Sequence, residues 1–259
     1  MSQILYQFSG ERFSPIEWCD PARQTTLVAD SFRVENGRVV ALERHLGRFS
    51  DSVLSTTDVT PDRLNAFLSA LVSTIPAEGS WFPRIEAVET PGGATLRYRE
   101  RPAPPWSSEV VIARAPHDPR RFPHTKGTDL EALLALRTQV ATEAIITTAD
   151  DLLVEGAYSS LMMWRAGNDH LTVIPPTTPH LPGITEAVLT DYARSAGIPV
   201  VAEDVSGSDL EGAEVWILSA LQGIRVATAF VEGPSLGMVP GRRELWQEHW
   251  LSLAQPVQA

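Results

Sequence analysis

Hydrophobic and polar positions alternate from Thr26 to Val34, and a second apolar run covers Val39 to Leu42. The dipeptide Asn36-Gly37 lies between the two runs, which is typical of a β-hairpin. Beyond this hairpin the period of the pattern changes, because apolar residues recur near helical spacing. The residues that predict this first helix are Leu42, Leu46, Phe49 and Val53.

A second helix has clearer boundaries. Thr60 is a suitable N-cap residue, and Pro61 follows at the first helical position. Five residues place an apolar stripe on one face, and Pro76 is expected to end the helix. The stripe is Leu64, Phe67, Leu68, Leu71 and Ile75.

Three strand-like runs follow, at 81–89, 94–100 and 109–113, and the first two are joined by Pro91-Gly92-Gly93. The first half is therefore expected to be α+β. Six prolines lie between Arg101 and Pro123, which indicates an extended connection. We expect an N-terminal α+β domain at 1–115, a connection at 116–125 and a C-terminal α/β domain at 126–259.

The second half alternates strands and helices. Thr128 and Glu131 predict a capping box that opens a helix to about Thr142. A further helix is expected after Leu181-Pro182-Gly183 and should end at Gly197. Strands are expected at 144–148, 152–154, 160–165, 171–174, 199–202, 214–219 and 224–231, with a short helical segment at 208–212 and an amphipathic helix at 242–253.

Composition narrows the possible functions. The sequence has 259 residues and a net charge of −11, from 21 Lys and Arg against 32 Asp and Glu, which disfavours binding to nucleic acid. The single cysteine, Cys19, excludes an internal disulfide and any multi-cysteine metal site. No apolar run approaches the roughly 20 residues that span a bilayer, and the beginning lacks the order of a signal peptide. We therefore expect a cytoplasmic protein.

Several common catalytic arrangements are missing from the sequence. The six histidines never occur at positions i and i+4, so no helix-borne metal pair is expected, and no metal site is predicted. Tyr158-Ser159-Ser160 lacks the flanking glycines of a nucleophile elbow. Asp118 and the pair Asp150-Asp151 have the character of solvated turn charges.

Two ionisable residues are candidates for chemistry. Lys126 is a lone lysine in a lysine-poor chain and immediately precedes the predicted helix. A reactive amine requires desolvation or cationic neighbours to lower its pKa, although a lysine near a helix start is ordinarily a surface residue. Glu155 follows the apolar run 152–154 and precedes Gly156. A carboxylate at a strand end ordinarily marks only where the strand leaves the core.

A phosphate site has a stronger physical basis. Leu181-Pro182-Gly183-Ile184-Thr185 places a turn directly before a helix N-terminus, where backbone N–H groups and a hydroxyl lie at the positive end of the helix dipole. The alternative is an ordinary helix start. Arg48, in the His-Leu-x-Arg pattern, is a further candidate. The loop that begins with Ser219-Ala220 is another, since backbone can approach a ligand at such a loop.

The order of these pieces resembles the class IV aminotransferase family, the fold type IV pyridoxal-phosphate enzymes. That family includes branched-chain and D-amino acid aminotransferases and 4-amino-4-deoxychorismate lyase. The resemblance covers the chain from about Leu27 to Phe230, and LPGIT with its spacing from Lys126 and Glu155 is the most specific part. It implies a two-domain architecture like that of D-amino acid aminotransferase, with the cofactor in a cleft between the domains, and commonly a homodimer.

The resemblance also implies a role for each residue. Lys126 matches the lysine that forms the internal aldimine with pyridoxal phosphate and then moves the Cα proton. Glu155 matches the acid that pairs with the pyridine nitrogen. The remaining cofactor contacts are implied for the phosphate and for the ring, on which Leu181 would pack. The residues matched to the phosphate are Arg48, Ile184, Thr185, Ser219 and Ala220.

Departures from the family pattern leave the reaction open between transamination and the pyruvate elimination of the lyase. Ser160 stands where relatives often have asparagine, and Glu186 stands where an arginine usually follows LPGIT. The beginning Cys19 to Arg23 also differs from the usual pattern. Position and charge suggest Arg97 or Arg225 for the substrate carboxylate. A degenerate relative that keeps the fold as a non-catalytic scaffold is a further alternative.

Overall fold

The computed structural model describes residues 3–16, 25–140 and 142–257, and the predictions that fall on Cys19 to Arg23 lie outside these ranges. The chain forms two compact units. The first unit contains the described residues up to Pro105, the short segment Thr125–Thr128 and the residues from Leu253 onward. The second contains Trp106–His124 and Asp129–Ser252.

The first unit has two sheets and two helices. One sheet has five strands in the order β2-β1-β8-β7-β3, and the other has four in the order β17-β5-β4-β6. All of their strand pairs are antiparallel. The elements are β1 (Ile4–Phe8), β2 (Phe13–Pro15), β3 (Thr26–Ser31), β4 (Val34–Glu35), β5 (Arg38–Val40), α1 (Leu42–Thr56), α2 (Pro61–Thr74), β6 (Ser80–Trp81), β7 (Arg84–Thr90), β8 (Gly93–Glu100) and, from the end of the chain, β17 (Ala254–Pro256).

Local sequence explains how these elements begin and end. Asn36 and Gly37 both have positive φ, at 48° and 69°, as a tight hairpin turn between β4 and β5 requires. The Thr60 hydroxyl accepts a hydrogen bond from the Arg63 N–H at the start of α2. The helix ends before Pro76, because the proline ring disfavours helical backbone at the residue that precedes it.

The core of the first unit lies where α1 packs on β3 and α2 packs on β8. Aliphatic side chains are more numerous in it, but the aromatic ones are larger, and each fully buried aromatic side chain contributes about 2 to 3 kcal/mol of hydrophobic stabilisation. The largest of them are Phe8, Phe32, Phe49, Phe67 and Tyr98.

The second unit is built on one mixed sheet of eight strands, in the order β11-β10-β9-β16-β15-β12-β13-β14. Strand β9 pairs in parallel with both β10 and β16, and β13 pairs in parallel with β14. The elements are β9 (Glu109–Arg114), α3 (Leu130–Val140), β10 (Glu143–Thr147), β11 (Leu153–Gly156), β12 (Ser160–Trp164), β13 (Leu171–Val173), α4 (Ile184–Ser195), β14 (Val200–Ala202), β15 (Glu214–Ser219), β16 (Gly223–Val231) and α5 (Arg242–Ser252), with a 3₁₀ helix at Gly207–Leu210.

Alternate residues of these strands belong to different cores. Ile145 and Leu153 pack in one cluster, and their neighbours Ile146 and Val154 pack in another with Leu136 of α3. Successive side chains of a strand point to opposite faces, so this sheet is buried on both sides. The arrangement agrees with the expected α/β character of the second half.

The two units differ in extent from the ranges predicted from the sequence. Strand β9 belongs to the second unit because it pairs inside the eight-stranded sheet. Lys126 and Gly127 belong to the first unit because they lie along β3. Strand β17 returns to β5 of the first unit. In the described residues, no helix is long and apolar enough to cross a membrane.

Candidate active site

Lys126 is attached to the first unit through its backbone. The Ala29 N–H donates to the Lys126 carbonyl at 2.6 Å, and Gly127 forms an antiparallel bridge with Val28. A Cβ atom on Gly127 would lie 2.0 Å from the Leu27 carbonyl oxygen, so this close approach of the two segments requires glycine at position 127. The strand therefore fixes the backbone from which the Lys126 side chain extends.

A buried carboxylate, that of Asp30 in β3, forms hydrogen bonds with several polar groups of the first unit. Its side chain is 0% exposed. The His45 Nδ1 atom lies 2.8 Å from Asp30 Oδ1, while Arg48 donates from Nε to Oδ2 and from Nη2 to Oδ1, each at 2.9 Å. The Ser31 N–H donates to the same Oδ1 atom at 2.7 Å. Asp30 thus fixes the orientation of Arg48, the residue that the resemblance matches to the cofactor phosphate.

The electrostatics of Asp30 follow from these neighbours. Burial by itself raises the pKa of Asp30, but His45, Arg48 and, more weakly, Lys126 outweigh it and lower the pKa to about 2. Asp30 was not among the candidates from the sequence. A carboxylate inside the strand β3 was the available signal, since an isolated buried charge is rarely tolerated without partners.

Glu155 lies in the second unit at the end of β11, with its side chain 9% exposed. Its Oε1 atom accepts from Arg120 Nη1 at 2.5 Å. Its Oε2 atom accepts from the backbone N–H of Leu181 at 3.2 Å. Glu155 and Leu181, predicted separately from the sequence, are therefore in direct contact. Arg120 was not predicted, and Asp118, expected to be a solvated turn charge, is its ion-pair partner.

The predicted phosphate seat is the N-terminus of α4. The N-cap residue is Gly183, which has no side chain to cap the first N–H groups of the helix. The first backbone bond of the helix runs from the Ala187 N–H to the Gly183 carbonyl, so the N–H groups of Ile184 and Thr185 precede the first intrahelical donor. Thr185 is buried in the first turn of this helix.

The strands of the second unit bring the Ser219 turn to the same region. A Cβ on Gly183 would lie 2.1 Å from Ser160 Oγ, so α4 begins against Ser160. Ser160 pairs across β12 and β15 with Leu218, the residue before Ser219. The Ser219 hydroxyl accepts from the Gln222 N–H at 3.2 Å and closes the turn that contains Ala220. This unit therefore brings together the start of α4 and the Ser219 turn, whose binding of phosphate stays a prediction.

Glu186, one of the departures from the family pattern, has its own partner. Burial raises the pKa of Glu186, and the nearby Glu155 carboxylate adds to the rise. A hydrogen bond with Ser160 and the charge of His180 act in the opposite direction. Both departures, Ser160 and Glu186, are thus in contact with each other.

The two arginines suggested for the substrate carboxylate have protein partners. Arg97 on β8 is buried and donates from Nη2 to Gln7 Oε1 at 3.5 Å. Arg225 on β16 donates from Nη2 to Glu143 Oε2 at 3.0 Å, and Glu143 is itself buried. Their role toward a substrate stays a prediction.

The residues fit pyridoxal phosphate by their chemistry. A phosphate needs cationic and N–H donors; the first unit has the cation Arg48, and the second unit, taken by itself, has the N-terminus of α4. A protonated ring nitrogen needs a carboxylate acceptor, and Glu155 is bound by N–H donors alone in its described hydrogen bonds. A carbonyl carbon needs a primary amine, and Lys126 is the only lysine in the sequence.

Comparison with known families gives one match over most of the chain. The model described as "Amino-transferase class IV" matches residues 27–230. This range contains Arg48, Lys126, Glu155, Thr185 and Ser219. No match was found among curated proteins.

Solved structures share the fold at low sequence identity. A hypothetical aminotransferase from Mycobacterium tuberculosis in its apo form is 18% identical, with a TM-score of 0.78 over 97% of this chain and 98% of that one. A fold IV-transaminase from Curtobacterium pusillum is 17% identical, with a TM-score of 0.78 over 97% and 99%. A branched-chain aminotransferase from Thermoproteus uzoniensis, solved with norvaline, is 18% identical, with a TM-score of 0.76 over 98% and 99%.

Proposed function

The chain belongs to the class IV aminotransferase family, whose enzymes depend on pyridoxal phosphate, and we propose that it transfers an amino group between an amino acid and a 2-oxo acid. The observation that carries the proposal is the family match over 27–230, because it spans every residue whose chemistry fits the cofactor. When bound, pyridoxal phosphate supplies an electron-withdrawing ring that stabilises negative charge at the substrate Cα.

Lys126 would provide the amine that attaches the cofactor covalently. Toward a bound substrate, Lys126 Nζ would accept the Cα proton and return it at another carbon, as a general base and then a general acid. Its backbone bond to Ala29 supports this role, because a fixed main chain limits the positions that Nζ can reach.

Arg48 and the N-terminus of α4 would hold the phosphate. Arg48 presents a guanidinium that Asp30 already orients, so less side-chain entropy is lost when an anion binds. Ile184 and Thr185 add N–H donors and a hydroxyl, and the turn at Ser219 and Ala220 adds backbone donors.

Glu155 would accept the hydrogen bond of the protonated ring nitrogen. A carboxylate at this atom keeps the ring positively charged and therefore electron-withdrawing. Leu181, whose N–H holds Glu155, would pack on the ring face.

The test uses the single lysine. Purified protein is incubated with pyridoxal phosphate and reduced with borohydride, and the modified residue is found by peptide mass spectrometry. We expect modification at Lys126, loss of the visible absorption band in Lys126→Ala, and no modification of the N-terminal amine, which is the internal control. A band that persists unchanged in Lys126→Ala would overturn the assignment.

The reaction itself is decided by two substrate assays. With an amino acid and 2-oxoglutarate, formation of glutamate indicates transamination; a Mycobacterium tuberculosis relative has been solved with alpha-ketoglutarate and PMP bound. With 4-amino-4-deoxychorismate, release of pyruvate and 4-aminobenzoate would instead indicate the lyase. Protein that binds the cofactor and turns over in neither assay would favour the non-catalytic scaffold.

We also propose small-molecule amino and oxo acids as substrates and a homodimer as the working form, both from the resemblance to the family. Light scattering coupled to gel filtration would measure a mass near twice 28.3 kDa for the dimer. A mass of one chain at micromolar concentration would contradict it.

A further inference from the structure

Arg120 is a buried cation that the proposed function does not use. Its side chain is 6% exposed, and its Nη1 atom lies 2.5 Å from Glu155 Oε1. The same Nη1 atom donates to the Pro179 carbonyl at 3.0 Å. A charged group so far removed from solvent requires fixed partners, so its contact with Glu155 is part of how the second unit is built.

Asp118 holds the other side of this guanidinium. Arg120 donates from Nε to Asp118 Oδ1 at 2.9 Å and from Nη2 to Asp118 Oδ2 at 2.7 Å. The Arg120 N–H also donates to Asp118 Oδ1 at 2.9 Å. Burial alone lowers the pKa of Arg120, but Asp118 and Glu155 outweigh it and leave the pKa raised, so the cation is retained.

The Glu155 carboxylate is consequently held at both oxygens. Arg120 binds Oε1, and the Leu181 N–H binds Oε2. One donor comes from the segment before Lys126 and the other from the segment before α4. Two donors on different segments define the plane of a carboxylate, which one donor alone does not.

A second carboxyl group near Glu155 makes a compensating positive charge necessary. Glu186 is a second carboxyl group close enough for its pKa to be raised by Glu155. Arg120 is the cation in direct contact with Glu155, and His180 acts on Glu186. Without Arg120, two carboxyl groups would share this partly buried region with weaker compensation.

We propose that Arg120 is a positioning residue for the ring nitrogen of the cofactor, acting by fixing the plane of Glu155 and by placing a positive charge beside it, with Asp118 as its anchor. This inference rests on the proposed function, because it assigns Glu155 to that nitrogen. Arg120 touches neither substrate nor cofactor in this scheme.

The test combines two changes, removal of the Arg120 side chain and removal of the ring nitrogen from the cofactor. Dissociation constants are measured by absorption titration for pyridoxal phosphate and for its 1-deaza analogue, in which a C–H group replaces the nitrogen. The proteins are the wild type, Arg120→Met, Arg120→Lys and Glu155→Gln. Arg165→Met is the matched control, because Arg165 is also ion-paired within the second unit, to Glu203 at 3.0 Å.

We expect Arg120→Met to weaken pyridoxal phosphate binding about 10- to 100-fold, the size of one charge-assisted hydrogen bond, and to change binding of the deaza analogue by less than about 2-fold. Arg120→Lys should lie between, since lysine keeps the charge and loses the fork. Arg165→Met should leave both constants unchanged.

An equal loss for both ligands would overturn the inference, because a merely structural role does not distinguish nitrogen from carbon at that ring position. Unchanged binding of pyridoxal phosphate by Arg120→Met would overturn it too. If Arg120→Met does not fold by circular dichroism, Asp118→Asn is used in its place and should show a smaller, equally nitrogen-dependent loss. Wild-type protein that binds neither ligand would instead refute the proposed function.

Discussion

Replacing Asp30 by asparagine tests whether one buried carboxylate organises the first unit. Asparagine keeps the shape of the side chain but removes its charge. It also places an NH₂ donor group opposite one of the N–H donors that now bind the Asp30 carboxylate. Arg48 and His45 would then face a neutral group, with at least one buried donor unpaired.

The magnitude follows from the pKa of Asp30. That pKa is about 2 in the folded protein against an ordinary value of 3.8. Each pKa unit corresponds to about 1.4 kcal/mol, so the ionised group stabilises the fold by about 2.4 kcal/mol at pH 7. An unpaired buried donor adds about 1 kcal/mol or more, and we expect Asp30→Asn to lower the free energy of unfolding by about 3 to 4 kcal/mol.

The pH dependence gives this prediction a distinctive sign. Because the folded pKa of Asp30 lies below the unfolded one, its stabilisation is complete above pH 3.8 and is lost as the pH falls toward 2. The part that depends on ionisation should fall from about 2.4 kcal/mol at pH 7 to about 1.3 kcal/mol at pH 3.

The assay is urea unfolding at pH 7 and pH 3, followed by circular dichroism, for the wild type and Asp30→Asn. Asp51→Asn is the control, because Asp51 is exposed on the same helix as Arg48, and it should change stability by less than about 0.5 kcal/mol. A loss below about 1 kcal/mol at pH 7, or a loss that is the same at both pH values, would refute the electrostatic reasoning.

Substitutions at three further positions test the local arguments. Gly127→Ala should destabilise the protein by about 3 kcal/mol in thermal unfolding, because its Cβ would meet the Leu27 carbonyl oxygen at 2.0 Å; a loss below about 1 kcal/mol would mean that the β3 contact is loose. Gly47→Ala should stabilise by about 0.5 to 1 kcal/mol, since nothing lies within 4 Å of the new methyl group inside α1, and a lower melting temperature would contradict this. Thr60→Ala should cost about 1 kcal/mol through loss of the cap on α2, whereas Thr60→Ser should restore most of it.

Short-range signals predicted most of the elements. Asn36-Gly37 gave the turn between β4 and β5, Thr60 gave the start of α2, and the strand expected at 214–219 is β15. These succeed because a turn, a cap or a buried strand is determined by a few consecutive side chains. The run from Thr26 to Val34 was expected to form one arm of this hairpin, but it is divided into β3, which pairs with β7, and β4, which pairs with β5 in the other sheet. Strands β1, β2 and β17 were not predicted. Strand β1 pairs with β8 and β17 pairs with β5, so both depend on partners distant in sequence, whereas the three-residue β2 pairs only with the nearby β1.

The capping box expected at Thr128 and Glu131 is wrong in its position. Helix α3 begins at Leu130, so Asp129 is the residue before it. The Asp129 carboxylate accepts from the N–H groups of Arg121 and Phe122, at 2.8 and 2.7 Å, and fixes the preceding loop. Sequence spacing identified the polar cluster, but only tertiary contacts decide which side chain serves which donor.

Candidate site residues divide in the same way. Lys126, Glu155 and the helix start at Gly183 were recognisable because each lies in a short motif. Asp30 and Arg120 were not, because their meaning comes from partners 18 and 35 residues away, Arg48 and Glu155. A charge inside a strand or loop becomes interpretable only when its counter-charge is located.

The contact between Ser160 and Glu186 changes how the two departures from the family pattern should be weighed. Taken separately, an absent asparagine and an absent arginine suggest two independent losses, as in a decaying enzyme. In the structure the Ser160 hydroxyl and the Glu186 carboxyl are hydrogen-bonded at the start of α4, beside Gly183. A largely buried acid without a partner would be costly, so the hydrogen bond from Ser160 stabilises Glu186 at this position. The two departures are therefore one local arrangement and not two independent losses.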